Sequence, residues 1–294
     1  MNFAEAPILF DCEGDCLVGC LTRPEQPCAV GVVVVVGGPQ YRAGSHRQFT
    51  LLSRELGEQG IACLRFDVRG MGDSEGTPRT FEQIDVDIAC ATAELMRRVP
   101  TVRQVVLWGL CDGASAAIMA VERLTGIAGV VALNPWVRSE TSHDATLIKH
   151  YYKRRLLSSE FWIRLVTGKL AIARAAREFA KRFATVAISR LGGAATRTAA
   201  VPERYQDRMS NGLGNFTGRT MIVLSGKDLT AQEFKAFSDA DAGWKNATNT
   251  NPHVVVEQLP EADHTMSNDT WRREVERLTC RFVLSLLEHN VASR

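Results

Sequence analysis

The segment Gly109–Gly113, with the sequence Gly-Leu-Cys-Asp-Gly, places the strongest constraint on the fold of this chain. It follows the apolar run Val105–Trp108 and precedes Ala114–Met119, whose residues favour a helix. A strand that turns this sharply into a helix strains the backbone of its central residue, and glycines two positions away on either side avoid a collision. The pattern therefore predicts a strand-turn-helix unit that presents Cys111 as a nucleophile at a helix N-terminus, where backbone amides favour negative charge.

Short apolar runs alternate with longer helical patterns along most of the chain. The predicted strands are Pro7 to Phe10, Leu17 to Thr22, Ala29 to Val36, Ile61 to Phe66, Gln104 to Trp108, Gly129 to Leu133, Thr220 to Leu224 and His253 to Leu259. The predicted helices run from about His46 to Gln59, from Phe81 to Arg98, after Cys111, and from Asn268 to His289. This alternation predicts an α/β fold with a mostly parallel sheet and helices on both faces.

The alternation stops after Pro135 and resumes at Thr220. Residues 136–219 hold 16 Lys or Arg and 6 Asp or Glu, a net charge of +10, whereas the whole chain carries +2. We predict a basic helical cap, residues 136–219, inserted into a core domain of residues 1–135 and 220–294. Two interpretations of its basic face remain open: a solvated surface, or a surface that contacts an anionic membrane or an acidic carrier protein.

The composition of the chain indicates where the protein is located and which cofactors and partners to expect. None of the apolar runs reaches the length of a membrane helix, and residues 1–7 do not resemble a signal peptide, so we predict a cytoplasmic protein. The eight cysteines are then expected to be reduced thiols. Cys12, Cys16 and Cys20 recur every four residues, but no histidine lies near them, and we predict neither a metal nor another cofactor. The basic residues lack a nucleic-acid reading module, so no nucleic-acid partner is expected.

A thiol nucleophile needs a base and a group that orients this base, in the chain order nucleophile, acid, histidine. Asp228 lies in the loop after the predicted strand Thr220–Leu224, and His264 lies in the loop after the strand that ends at Leu259. Both positions are the carboxyl ends of parallel strands, which meet at one edge of the sheet. We therefore predict a catalytic triad of Cys111, His264 and Asp228.

An oxyanion hole requires two backbone amides close to the nucleophile. The residue after the nucleophile, Asp112, supplies the first. The second should come from the loop Gly37–Gln40 after the valine-rich strand. Pro39 has no N–H, so we predict Gln40 as the donor, with Gly38 as the alternative.

Three motifs together carry a family resemblance. They are the Gly-Leu-Cys-Asp-Gly turn, the loop Arg65–Gly76 with the sequence Arg-Phe-Asp-Val-Arg-Gly-Met-Gly-Asp-Ser-Glu-Gly, and the segment Gly37–Phe49. The order of strands, loops and triad residues resembles the α/β-hydrolase superfamily over essentially the full chain. The three motifs resemble the hydrolases associated with the exosortase A system, which occur in bacterial loci for exopolysaccharide production and protein sorting.

This resemblance implies a cytoplasmic hydrolase-like enzyme. It places Arg42, Ser45, His46 and Arg47 near the mouth of the site, where they are candidates for substrate binding; alternatively, Ser45 and His46 only open and cap the next helix.

The predicted chemistry is cleavage of an ester or thioester bond through a covalent thioester on Cys111. Dienelactone hydrolases and polyhydroxyalkanoate synthases share a Gly-x-Cys-x-Gly turn with Asp and His; the former hydrolyse and the latter transfer. A second hypothesis is therefore an acyltransferase that moves an acyl group from a carrier thioester to a glycan or lipid precursor. A third is a binding protein without catalysis, motivated by Pro39 in the oxyanion loop. The expected partner is a small or carrier-bound acyl substrate, and the oligomeric state stays open.

Overall fold

The computed structural model describes residues 2–38, 40–138 and 204–292. The chain divides into two compact units, Met1–Val137 with Arg204–Arg294, and Arg138–Glu203. The architecture below is that of the first unit. Most of the predicted cap, residues 139–203, and Pro39 lie outside the described residues.

The described part of the chain contains eight strands and seven α-helices. The strands are β1 (Phe3–Cys12), β2 (Asp15–Pro24), β3 (Val30–Val35), β4 (Cys63–Phe66), β5 (Gln104–Leu110), β6 (Ile127–Leu133), β7 (Arg219–Ser225) and β8 (Val254–Leu259). The helices are α1 (Gln48–Glu58), α2 (Asp85–Arg98), α3 (Asp112–Ala120), α4 (Tyr205–Asn215), α5 (Leu229–Ala240), α6 (Ala242–Lys245) and α7 (Asp269–Ala292). Short 3-10 turns occupy Ser45–Arg47 and Phe81–Gln83, and a π turn occupies Asn246–Thr250.

These strands form one sheet in the order β1-β2-β4-β3-β5-β6-β7-β8. β2 pairs antiparallel with both β1 and β4, and all other neighbours are parallel. The predicted α/β fold with a mostly parallel sheet is thus confirmed. Because β5 to β8 are parallel neighbours, the loops that follow them lie along one edge of the sheet, and this edge carries Cys111, Asn134, Asp228 and His264.

Apolar side chains cover both faces of the sheet. The central strand β3 and the following Val36 are almost completely buried, as expected for a valine-rich strand covered on both sides. On one face Phe49 of α1 packs edge-on against Trp108 of β5, with ring centroids 5.5 Å apart. The indole N–H of Trp108 donates to Thr279 Oγ1 of α7 at 3.2 Å. This packing fixes β5, and with it the position of the turn that follows.

The structure differs from the sequence prediction in several local elements. Helices α5 and α6 were not predicted. The helix expected from about His46 begins at Gln48, because His46 and Arg47 have left-handed backbone angles, φ 53° and 61°, in which an α-helix cannot continue. The helix expected from Phe81 is a 3-10 turn followed by α2. Among the described helices, none is both long and apolar enough to cross a membrane.

Candidate active site

The turn after β5 holds Cys111 in a strained conformation. Its φ is 59° and its ψ −123°, a region that residues with a Cβ rarely occupy. A Cβ placed on Gly109 would overlap the carbonyl oxygen of Gly113, and a Cβ on Gly113 would lie 2.5 Å from the carbonyl oxygen of Val35. The turn therefore depends on both glycines, as the sequence predicted, and it places the cysteine at the N-terminal end of α3.

Asp228 and His264 form a hydrogen-bonded pair beside this turn. Asp228 is buried and lies at the N-cap of α5, where its carboxylate accepts hydrogen bonds from the backbone N–H groups of Thr230 at 3.0 Å and Ala231 at 3.3 Å. Its Oδ2 lies 2.8 Å from Nδ1 of His264. The helix cap therefore fixes the carboxylate that orients the imidazole ring.

The imidazole of His264 lines the same cavity as Cys111. The hydrogen bond with Asp228 and, after it, the neighbouring side chain of Cys111 raise the pKa of His264 to about 10, although partial burial opposes the rise. The protonated ring is thus stabilised between two groups that can carry negative charge. The three predicted triad residues, which lie far apart in the sequence, are brought together: Asp228 is hydrogen-bonded to His264, and His264 lines one cavity with Cys111.

Asn134, at the end of β6, connects the loops on which the triad stands. Its Nδ2 donates to Ser225 Oγ at 2.9 Å, and its Oδ1 accepts the Ser225 N–H at 2.8 Å. The same Nδ2 approaches the carbonyl oxygen of His264 at 3.5 Å. Sequence analysis did not identify this residue. Its left-handed φ of 48° suits asparagine, and an Asn-Pro pair directly after a strand was the signal available.

A cavity of about 410 Å³ opens at the triad. Its described lining consists of Gly37, Gly38, Gln40, Phe81, Leu110, Cys111, Asp112, Trp136 and His264. The apolar part of the wall comes from Phe81, Leu110 and Trp136, of which Phe81 and Trp136 were not predicted from the sequence. A pocket that combines this apolar wall with a thiol and an imidazole suits an acyl group.

The residues predicted for the oxyanion hole line the same cavity. The backbone of Asp112 begins α3, and Gly38 and Gln40 belong to the loop after β3. Gly38 lies close to the carboxylate of Asp112. Pro39 lies outside the described residues.

Arg42, Ser45 and His46 are absent from the described lining of this cavity. The Arg42 guanidinium pairs with Asp67, and at 2.7 Å with Asp73. Its backbone N–H donates to Asp67 Oδ1 at 2.7 Å. Ser45 and His46 belong to the 3-10 turn before α1, where neither helix start has a side-chain cap. In the described geometry, Arg42 therefore serves to hold the loop after β4 rather than to face the cavity.

The cysteines away from the cavity are free thiols. Cys12 is buried beside Asp87, at 3.8 Å from Sγ to Oδ1, while Cys16 and Cys20 lie on β2. Within the described ranges, no group of three His, Cys, Asp or Glu side chains is arranged to hold a metal ion. All eight cysteines are free thiols.

The family model described as the alpha/beta hydrolase family matches residues 32–278. Over 90 residues the chain is 34% identical to the polyketide transferase grgF of a Penicillium species, a match that covers 28% of this chain and 29% of that protein. Over 152 residues it is 29% identical to the quorum-quenching protein AidA of Acinetobacter baumannii, which covers 49% of each. The matches therefore span less than half of the length of these two relatives.

Solved structures show the same architecture. An esterase of Pyrococcus furiosus superposes with a TM-score of 0.64 at 17% identity, covering 97% of this chain and 91% of the esterase. At this identity the likeness concerns the fold alone.

Proposed function

This chain belongs to the alpha/beta hydrolase family, and we propose that it cleaves ester or thioester bonds through a covalent thioester on Cys111. One observation carries the proposal: His264, whose Nδ1 lies 2.8 Å from the buried carboxylate of Asp228, lines the same cavity as the strained Cys111. Ion pairs and structural histidines occur in many proteins, but a nucleophile on a strained turn with a base oriented by a buried acid is the arrangement that nucleophilic catalysis requires.

The proposed reaction has two steps. Cys111 Sγ attacks the acyl carbon as His264 holds the thiol proton, and backbone amides bind the oxygen that becomes negative. When the tetrahedral intermediate collapses, the leaving alcohol or thiol takes the proton from His264 and the acyl group stays on sulfur. In the second step His264 removes a proton from water, which attacks the thioester carbonyl, and the acid leaves while Cys111 regains its proton.

A second candidate function replaces water by an acceptor. The thioester intermediate exchanges with alcohols and thiols as well as with water, and a relative over part of the chain is named a polyketide transferase. An acyltransferase that moves an acyl group from a carrier thioester to a glycan or lipid precursor would use the same triad. The +10 charge of residues 136–219 favours an acidic carrier or an anionic membrane as the partner of the cap.

The biological setting forms part of the proposal. The three motifs around Gly37, Asp67 and Cys111 resemble those of the exosortase A-associated hydrolases, which supports a role in bacterial exopolysaccharide or sorting systems and a cytoplasmic location. Cell fractionation with an antibody against the chain tests the location. Recovery in the periplasm would contradict it.

The test of the proposed chemistry is intact-mass spectrometry after brief incubation with short and medium p-nitrophenyl esters and acyl thioesters. We expect an acyl adduct that maps to Cys111 and is absent from Cys111→Ala. Decay of the adduct in water identifies a hydrolase, whereas decay only after an alcohol or thiol is added identifies a transferase. Absence of any adduct and of turnover would contradict both and favour a binding protein.

A further inference from the structure

The residue after the proposed nucleophile places a carboxylate among the amides expected to bind the oxyanion. Asp112 is the first residue of α3, and its side chain lines the same cavity as Cys111 and His264. Its Oδ1 accepts the N–H of Gly113 at 3.0 Å. The carboxylate also lies against Gly37 and Gly38, and the amides of Gly38 and of Asp112 itself favour its charged form. In the free protein, a carboxylate of the chain thus lies at these donors.

The loop after β3 is shaped around this carboxylate. A Cβ placed on Gly37 would overlap Asp112 Oδ1, and one placed on Gly38 would lie 3.4 Å from Oδ2. Only a glycine at position 37 leaves room for the carboxylate at this place. The contact is therefore a built feature of the loop and not a chance orientation of an exposed side chain.

Reaction at Cys111 conflicts with this arrangement. The oxygen of the acyl group becomes negative in the transition state and needs the same amides. Two negative charges at one pair of donors repel each other. Burial already raises the pKa of Asp112 above its ordinary value, although the amides of Gly113, Gly38 and Asp112 oppose the rise. The carboxylate must therefore leave the amides before an oxyanion can form.

A displaced carboxylate needs a new hydrogen-bond partner. The described titratable groups that face it in the cavity are Cys111 and His264, and in the proposed reaction His264 is engaged with the thiol proton and with Asp228. An acyl group that fills the cavity also expels the water that would otherwise solvate the carboxylate. A donor on the acyl group, next to the carbonyl whose oxygen takes over the amides, would supply such a partner.

We propose that Asp112 is a specificity-determining residue, whose carboxylate holds the oxyanion amides in the free protein and releases them to acyl groups that carry an ammonium or hydroxyl donor beside the carbonyl. This inference rests on the proposed function. It identifies the preferred substrates as amino-substituted or hydroxy-substituted acyl compounds. An unsubstituted acyl group displaces the carboxylate without offering it a new hydrogen bond, and it therefore reacts more slowly.

The test compares glycyl and acetyl thioesters of N-acetylcysteamine, with formation of the adduct on Cys111 followed by intact mass. For each thiol we take the ratio of its reaction rate with the glycyl thioester to that with the acetyl thioester. This ratio should be about tenfold higher for Cys111 of the wild-type protein than for a free thiol in solution. Asp112→Asn keeps the shape of the side chain but removes the charge, so its acetyl reaction should accelerate and the preference disappear. Asp239→Asn removes an exposed carboxylate of α5 that pairs with Lys235 and should keep the wild-type preference.

The outcomes are distinguishable. If adducts form with the same preference in Asp112→Asn and in the wild-type protein, or if Asp112→Asn is slower with both thioesters, the inference is overturned and the proposed function stands. If no adduct forms on Cys111 from any thioester, the proposed function fails and the inference fails with it.

A second measurement addresses charge at the thiol without any acyl chemistry. Methanethiosulfonates react with a thiolate to give a mixed disulfide and methanesulfinate, and they are made with a cationic aminoethyl or an anionic sulfonatoethyl group. The quantity compared is the ratio of the rate with the cationic reagent to the rate with the anionic reagent at Cys111. At low salt, this ratio should be about tenfold higher in the wild-type protein than in Asp112→Asn. Peptide mapping separates Cys111 from the other thiols. An equal ratio in the two proteins would contradict a carboxylate seated beside the nucleophile.

Discussion

His264 Nδ1 lies 2.8 Å from Asp228 Oδ2, although the two residues are 36 positions apart in the chain. The loops that follow the adjacent parallel strands β7 and β8 carry them to the same edge of the sheet. Asp228 has a second task, because its carboxylate also caps α5. One side chain thus couples the start of a helix to the orientation of the proposed catalytic base.

The two tasks of Asp228 can be separated by substitution. Asp228→Asn retains an oxygen that caps α5 but loses the charge that stabilises the protonated ring, so we expect acylation of Cys111 to slow by about 10²–10⁴-fold, with a loss of stability limited to the contribution of the His264 proton. Asp228→Ala should slow acylation similarly and also lower the free energy of unfolding by about 1 kcal/mol. Urea denaturation and adduct formation by mass spectrometry check the two effects. Full acylation by Asp228→Asn would contradict the proposed role.

The raised pKa of His264 predicts how stability depends on pH. The folded state holds the imidazole proton more tightly than the unfolded chain does, because the pKa of His264 is raised to about 10 from an ordinary value of 6.5. The stabilisation is therefore complete below about pH 6.5 and is lost as the pH rises toward 10. Because the ring is one-third exposed, solvent reduces the effect, and we expect a difference of a few degrees in Tm.

The matching experiment compares the wild-type protein with His264→Gln by thermal unfolding at pH 6.5, 8 and 10. The Tm advantage of the wild-type protein should shrink steadily across this range. An advantage that grows with pH would show that the imidazole is favoured in its neutral form.

Asn134 is expected to stabilise the loops under the triad. Asn134→Ala breaks both hydrogen bonds to Ser225, which should cost about 1–3 kcal/mol in the free energy of unfolding. The left-handed backbone at this position adds about 1 kcal/mol of strain for alanine. Asn134→Gly loses the same hydrogen bonds without the strain and should be the more stable of the two variants. Chemical denaturation measures both, and wild-type stability in Asn134→Ala would refute this assignment.

The turn at Cys111 should not tolerate a larger residue at position 109. A Cβ on Gly109 overlaps the backbone of Gly113, and because backbone cannot yield easily we expect Gly109→Ala to cost about 2–4 kcal/mol. Gly214→Ala is the matched control, since its Cβ meets no atom within 4 Å. In α4 that change should stabilise the protein by about 0.5–1 kcal/mol. Equal Tm values for the two variants would contradict the steric explanation.

The sequence alone determined the fold class and the three residues proposed for the triad. Strand-to-helix alternation and a Gly-x-Cys-x-Gly turn are local patterns, and the position of Asp228 and His264 after successive strands follows from the geometry of parallel sheets. Local patterns failed at His46 and Arg47, where the backbone turns left-handed before α1. They also missed α5, whose start depends on the capping carboxylate of Asp228.

The tertiary structure decided where the remaining side chains point. The guanidinium of Arg42 pairs with Asp67 and Asp73, and the carboxylate of Asp112 turns onto the amides around Gly38. The tertiary structure also brings Asn134 to Ser225, which lies 91 positions away in the chain. Such contacts join segments that are distant in the chain, so their energies depend on packing and burial that no local pattern encodes. The sequence determines the chemical type of each side chain. Which group that side chain contacts is decided only when the folded sheet brings distant loops together.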